Sequence, residues 1–133
     1  MRSDTRSATI AAAPKDVTAF VADPANLPRW AIGFAHDVRR EGGRWIVSTG
    51  QGEIPISVDV NDEAGTVDFR MEVGPGVEAV AYSRVVPNGD GSEYTFTQFQ
   101  QPGVPDDVFE QLVSAVGHEL AALQALLEVR CPL

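Results

Sequence analysis

The chain closes on one long amphipathic stretch, Val108 to Val129, and that stretch limits what the rest can be. Phe109, Leu112, Val113, Val116, Leu120, Leu123 and Leu127 recur at helical spacing and, at about 3.6 residues per turn, share an arc of roughly 100°. A helix of this kind has one apolar face to bury. Most of the sequence before it alternates in the manner of β-strands, so the surface offered to that face is a sheet. The expected fold class is α+β: a curved antiparallel sheet gripping the closing helix, able to hold a cavity between the two layers.

Thr9 to Ala12, with Ile10, reads as a first strand after the polar lead Met1 to Ser7. Pro14 suits the first position of a helix, where its missing N–H is no loss, and Val17, Phe20 and Val21 form the apolar face of Pro14 to Ala22. Asp23-Pro24 ends that helix and opens a second short one, because Asp caps orphan N–H groups and Pro24 presets the helical φ. Leu27 and Trp30 then point one way. From Phe34 to Gln101 the pattern is short alternating segments between turn residues, which predicts antiparallel strands. Gly42-Gly43 and Asn61 to Gly65 are turns. Ile54, Ile56, Val58 and Val60, and likewise Val67, Phe69, Met71 and Val73, alternate with polar neighbours and Pro55, so each strand has one apolar and one wet face. Pro87 to Gly91 supplies the turn between strands at Val77 to Val86 and Glu93 to Gln101. Pro105 and Asp106 start the closing helix. No repeat or linker divides the chain, and residues 1–133 are expected to form a single domain.

Charge sets the classes of partner. With 19 acidic against 10 basic side chains and a formal net charge of -9, the mean surface repels phosphate backbones and anionic lipid, so nucleic acid is not an expected partner. No apolar run reaches the length of a membrane span or of a signal-peptide core; membrane insertion is not expected, and a cytoplasmic location is the default. Cys131 has no second cysteine to pair with, and His and Cys are too few for a typical zinc site. Nucleophile-elbow, Walker-type and H-E-x-x-H motifs are absent, so neither metal nor cofactor is expected. Asp106-Asp107 and Asp62-Glu63 lie at a helix start and in a turn, where carboxylates complement a helix dipole or solvate a loop.

The order strand, two helices, six strands and long helix, with the phrases Ala22-Asp23-Pro24-Ala25-Asn26-Leu27-Pro28-Arg29-Trp30 and Val85-Val86-Pro87-Asn88-Gly89-Asp90-Gly91-Ser92-Glu93, resembles the START-related SRPBCC superfamily in its polyketide cyclase/dehydratase-like branch. The resemblance covers almost the whole chain. It implies a helix-grip fold of about seven strands with a cavity between the sheet and the C-terminal helix. The matching phrases are a helix junction and a hairpin, so they carry no catalytic residue across.

Candidate residues follow from strand parity and the helical wheel. His118 sits about 180° from the centre of the apolar arc and reads as a surface histidine. His36 shares parity with Phe34 and Val38, so it faces the cavity if Val38 does, although Arg40 shares that face and solvent is the competing reading. Trp30 flanks the cavity in the resemblance, where an indole can cover a ligand and aim its N–H at a polar group. Phe69, Met71, Tyr94 and Phe96 fall on inner faces, where core and ligand contact overlap. Tyr82 and Arg84 share one face of their strand and Ala79, Ala81 and Val85 the other; parity leaves open which is inside, and exposure is the simpler expectation for Arg84. Gln98 follows Tyr94 and Phe96, where its amide orients a ligand carbonyl or satisfies a neighbouring strand.

Three functions are compatible with this pattern. The first is binding of a small hydrophobic molecule, aromatic, polyketide-like or lipid-like, with Trp30, His36, Phe69, Met71, Tyr82, Tyr94, Phe96 and Gln98 as its contacts. The second is a cyclase or dehydratase in which His36, Tyr82 or Gln98 handles protons or polarises a carbonyl; placing both His36 and Tyr82 in solvent would count against it. The third is a partner-modulating interaction protein, for which an exposed apolar patch is the sign. The sequence names neither the ligand nor an oligomeric state.

Overall fold

The computed structural model describes residues 1–130; Cys131 lies outside them. The elements run β1 (Ser3–Ile10), α1 (Pro14–Ala22), a 3-10 turn (Pro24–Asn26), α2 (Leu27–Trp30), β2 (Asp37–Glu41), β3 (Arg44–Thr49), β4 (Gly52–Asn61), β5 (Thr66–Gly74), β6 (Val77–Asn88), β7 (Gly91–Phe99) and α3 (Asp106–Arg130). The seven strands form one antiparallel sheet in the order β1-β7-β6-β5-β4-β3-β2. This is a helix-grip fold, with α3 along β1 and α2 and with α1 against β4 to β7.

Local chemistry accounts for the joints. Pro14 opens α1, and the Asp23 carboxylate accepts from Ala25 N at 3.0 Å to start the 3-10 turn. Gly65 takes φ +74°, and a Cβ there would lie 2.2 Å from Val85 O, so the β4–β5 turn needs glycine. The closing helix buries Phe109, Val113, Val116, Leu120, Leu123 and Leu127 and leaves His118 outside. Leu112, expected on the same face, is exposed instead, since it lies at the margin of the arc near the helix start.

Two strand boundaries differ from the sequence reading. The first strand begins at Ser3, because its pairing with β7 runs from Ser3–Phe99 to Ile10–Ser92. Backbone pairing at a sheet edge asks for no apolar alternation, so the polar lead hid it. The edge is tied to α3, with Gln124 Nε2 donating to Thr9 O at 2.6 Å and Ala11 N donating to Glu128 Oε2 at 3.0 Å. Residues 34–36 form the end of a turn rather than strand; β2 starts only at Asp37.

Candidate functional site

Cross-strand register gathers the inner face. Val85 pairs Tyr94 and Ser83 pairs Phe96; Phe69 pairs Ala81 and Met71 pairs Ala79; Val58 pairs Phe69. The small residues Ala79, Ala81 and Ser83 on β6 leave room for large rings from both neighbouring strands. Those rings make one cluster. Trp30 lies 6.3 Å from Phe69 in a tilted contact and 6.4 Å from Tyr94 edge-on, and Phe69 lies 6.2 Å from Phe96. Met71 packs at its border. Trp30, Phe69, Met71, Tyr94 and Phe96 thus come together on the inside. Gln98 has the same parity, but its Nε2 donates to Leu112 O at 3.4 Å, which fastens β7 to α3 at the rim.

Two candidates turn away. Tyr82 is 46% exposed on the outer face, edge-on to Phe99 at 6.1 Å; the inner face of β6 is the alanine face, because it must accommodate the rings. Arg84, on the outer face too, is exposed as expected and donates to Ala64 O. His36 is also exposed. Its side chain does not follow Phe34 and Val38, since strand parity holds only within a strand and β2 begins one residue later.

The cluster carries polar atoms that have no answer inside it. Trp30 Nε1 and the Tyr94 hydroxyl are buried without a hydrogen-bond partner. Ser83 is near enough to favour ionisation of the Tyr94 hydroxyl, but no hydrogen bond joins them; its own Oγ donates to Val67 O at 2.6 Å. Burial raises the Tyr94 pKa above the ordinary tyrosine range, with a smaller push from the Glu119 charge, so the hydroxyl keeps its proton. Unpartnered buried polar atoms are uncommon in folded proteins, and each calls for an explanation.

Glu119 is the residue that sequence reasoning missed. The closing helix reads as an apolar wall, yet Glu119 on it is 6% exposed. Its Oε2 accepts from Gly33 N at 3.0 Å. Burial raises its pKa to about 7, against the lowering effect of the Gly33 and Phe34 amides. The signal was available in the sequence: Glu119 stands three residues after Val116 and four before Leu123, on the border of the buried arc. Gly33 permits the contact, because a Cβ there would meet Ala115 Cβ at 2.9 Å.

A groove of about 490 Å³ lies elsewhere, where Ala22 and Pro24 meet the β2–β3 hairpin, β4 and β5. Its lining includes Ile56 and Val58 but also Pro55, Ser57 and Arg70, residues of both faces of the sheet, and none of the ring cluster. It is therefore not a chamber enclosed between sheet and α3. Among the described residues no group of three or more His, Cys, Asp or Glu is arranged to hold a metal. No helix among them is long and apolar enough to cross a membrane.

Fold and interior together define a START-type helix-grip protein. Residues 1–128 match the family described as polyketide cyclase / dehydrase and lipid transport, and the chain belongs to that family, within the SRPBCC superfamily. No curated protein matches it. Among solved structures it is similar to the dimeric Aha1 protein of Colwellia psychrerythraea (TM-score 0.76, 15% identity, 97% of this chain and 98% of that one). It is also similar to a START superfamily protein from Mycobacterium smegmatis (0.69, 16%, 96% and 98%). A third similar structure is the di-domain ARO/CYC BexL of the BE-7585A biosynthetic pathway (0.73, 19%), where 94% of this chain covers 46% of that one. At these identities the likeness is one of fold.

Proposed function

We propose that the protein binds a small hydrophobic molecule between the sheet and α3, against the ring cluster of Trp30, Phe69, Tyr94 and Phe96. One observation carries the reading: Trp30 Nε1 and the Tyr94 hydroxyl are buried and unpartnered, at a cost of about 1–3 kcal/mol for each such group. A core built only for stability would place phenylalanine at Tyr94. A ligand that meets these atoms offsets the cost, and the ring cluster parts to admit it. The family, which spans polyketide cyclases and lipid transport, supports the same class of occupant, aromatic, polyketide-like or lipid-like.

The test is native mass spectrometry of protein purified from its host, followed by titration of the stripped protein with the neutral dye N-phenyl-1-naphthylamine. A copurified small molecule, or saturable one-to-one dye binding that it displaces, is the expected result. Neither a bound molecule nor saturable binding would end this reading.

A cyclase or dehydratase activity is the second reading; the exposure of His36 and Tyr82 counts heavily against it, and Glu119 favours it. With His36 and Tyr82 outside, the acid/base group such an enzyme needs is this buried carboxyl, whose pKa near 7 suits proton transfer at neutral pH. Its mark would be turnover of a bound polyketone that Glu119→Gln abolishes while binding persists.

A further inference from the structure

The interior buries two unpartnered donors and one carboxyl, and this combination discriminates among hydrophobic ligands. Trp30 Nε1–H can only donate. The Tyr94 hydroxyl holds its proton throughout the neutral range and, although Ser83 is near it, makes no hydrogen bond. The two rings touch edge-on at 6.4 Å, so both donors belong to the same ring cluster. The opposite charge preference is equally defined. Among the described residues the buried polar side chains are Thr18, Ser83, Ser92 and Glu119, with no buried lysine or arginine. Arg6, opposite Phe96 on the inner side of β1, reaches over Gly117 but is half exposed and paired with Asp4 at 3.1 Å, and Arg2 is paired with Glu110 on α3. An anionic headgroup would find both of these cations half exposed and already paired and, within the interior, a buried carboxyl and no buried cation, at the cost of an uncompensated buried charge.

We infer that the ligand is neutral and carries a hydrogen-bond acceptor of the ketone or quinone type, received by Trp30 N–H and Tyr94 O–H, and that Glu119 excludes carboxylates such as fatty-acid anions. This rests on the ligand-binding reading and narrows it. Trp30 and Tyr94 select for the acceptor, and Glu119 selects against the anion.

Three nearly isosteric probes separate the terms: 2-acetylnaphthalene, 2-ethylnaphthalene and 2-naphthoate, titrated by calorimetry into the full chain at pH 8. The ketone is expected to bind about tenfold tighter than the hydrocarbon, the value of one hydrogen bond to an otherwise unpaired donor, and the carboxylate weakest of the three. Tyr94→Phe should cut the ketone's advantage over the hydrocarbon to about threefold or less; Glu119→Gln should raise the affinity for 2-naphthoate severalfold relative to the other two probes. Urea melts of both variants establish that they are folded. Equal binding of ketone and hydrocarbon, a ketone preference undiminished by Tyr94→Phe, or tightest binding of the carboxylate would overturn the inference with ligand binding intact. Binding of none of the probes would remove the ligand-binding reading and this one with it.

Discussion

At the scale of single residues, Tyr94 and Glu119 are where stability and function part company. The Tyr94 hydroxyl is wholly buried with nothing to bond, so Tyr94→Phe should leave the unliganded protein as stable as before or raise its unfolding free energy by about 1 kcal/mol, read from urea melts. A loss of more than that would mean the hydroxyl holds the fold together. Glu119 makes stability depend on pH. Its folded pKa, about 7, lies above the ordinary 4.5, so the folded state holds the proton more tightly than the unfolded chain. The associated stability is fully present below about pH 4.5 and is lost as pH rises through about 7, an effect on the order of 3 kcal/mol. Glu119→Gln keeps an acceptor for Gly33 N and should flatten that part of the pH profile; the difference between the two melting curves from pH 5 to pH 8 is the measurement. Both residues sit in legible periodic positions. What the sequence could not reveal was that Tyr94 would find no partner, since that depends on what the neighbouring strands and α2 present.

At the scale of elements, the helices announced themselves and the edges did not. Pro14 and the apolar spacing of Val17, Phe20 and Val21 mark α1 residue by residue, and the Pro105-Asp106 start marks α3. Asp4 and Arg6 on the inner side of β1 break the alternation that marks a strand in sequence, which hides its first half. His36 is exposed for a related reason: a turn precedes β2, and strand parity does not extend across it. Turns themselves give the sharpest element-scale prediction. Gly65→Ala should cost about 3 kcal/mol or more in chemical denaturation, because the backbone is left-handed there and the added Cβ meets the Val85 carbonyl. Gly43→Ala, at φ +80° but with nothing within 4 Å, should cost only about 1 kcal/mol. Equal losses at the two glycines would show that conformation, not contact, governs the β4–β5 turn.

At the scale of the whole molecule, a ligand that binds only the folded state couples occupancy to stability. A ligand at about one hundred times its Kd should raise the unfolding free energy by about 2.7 kcal/mol, visible as a higher Tm with the neutral ketone probe and absent with 2-naphthoate. By itself the sequence determined the order of elements, the antiparallel sheet, the buried face of α3 and the exposure of His118, because each follows from periodicity and turn chemistry within a short stretch of chain. Tertiary structure decided which face of β6 is inside, that Tyr82 and His36 leave the site, that Trp30 and Tyr94 each bury a polar atom without a hydrogen bond, and that the Gly33 backbone meets the Glu119 carboxyl. These are contacts between residues far apart in sequence, set by how strands register and how α2 seats on α3, and no local pattern encodes them.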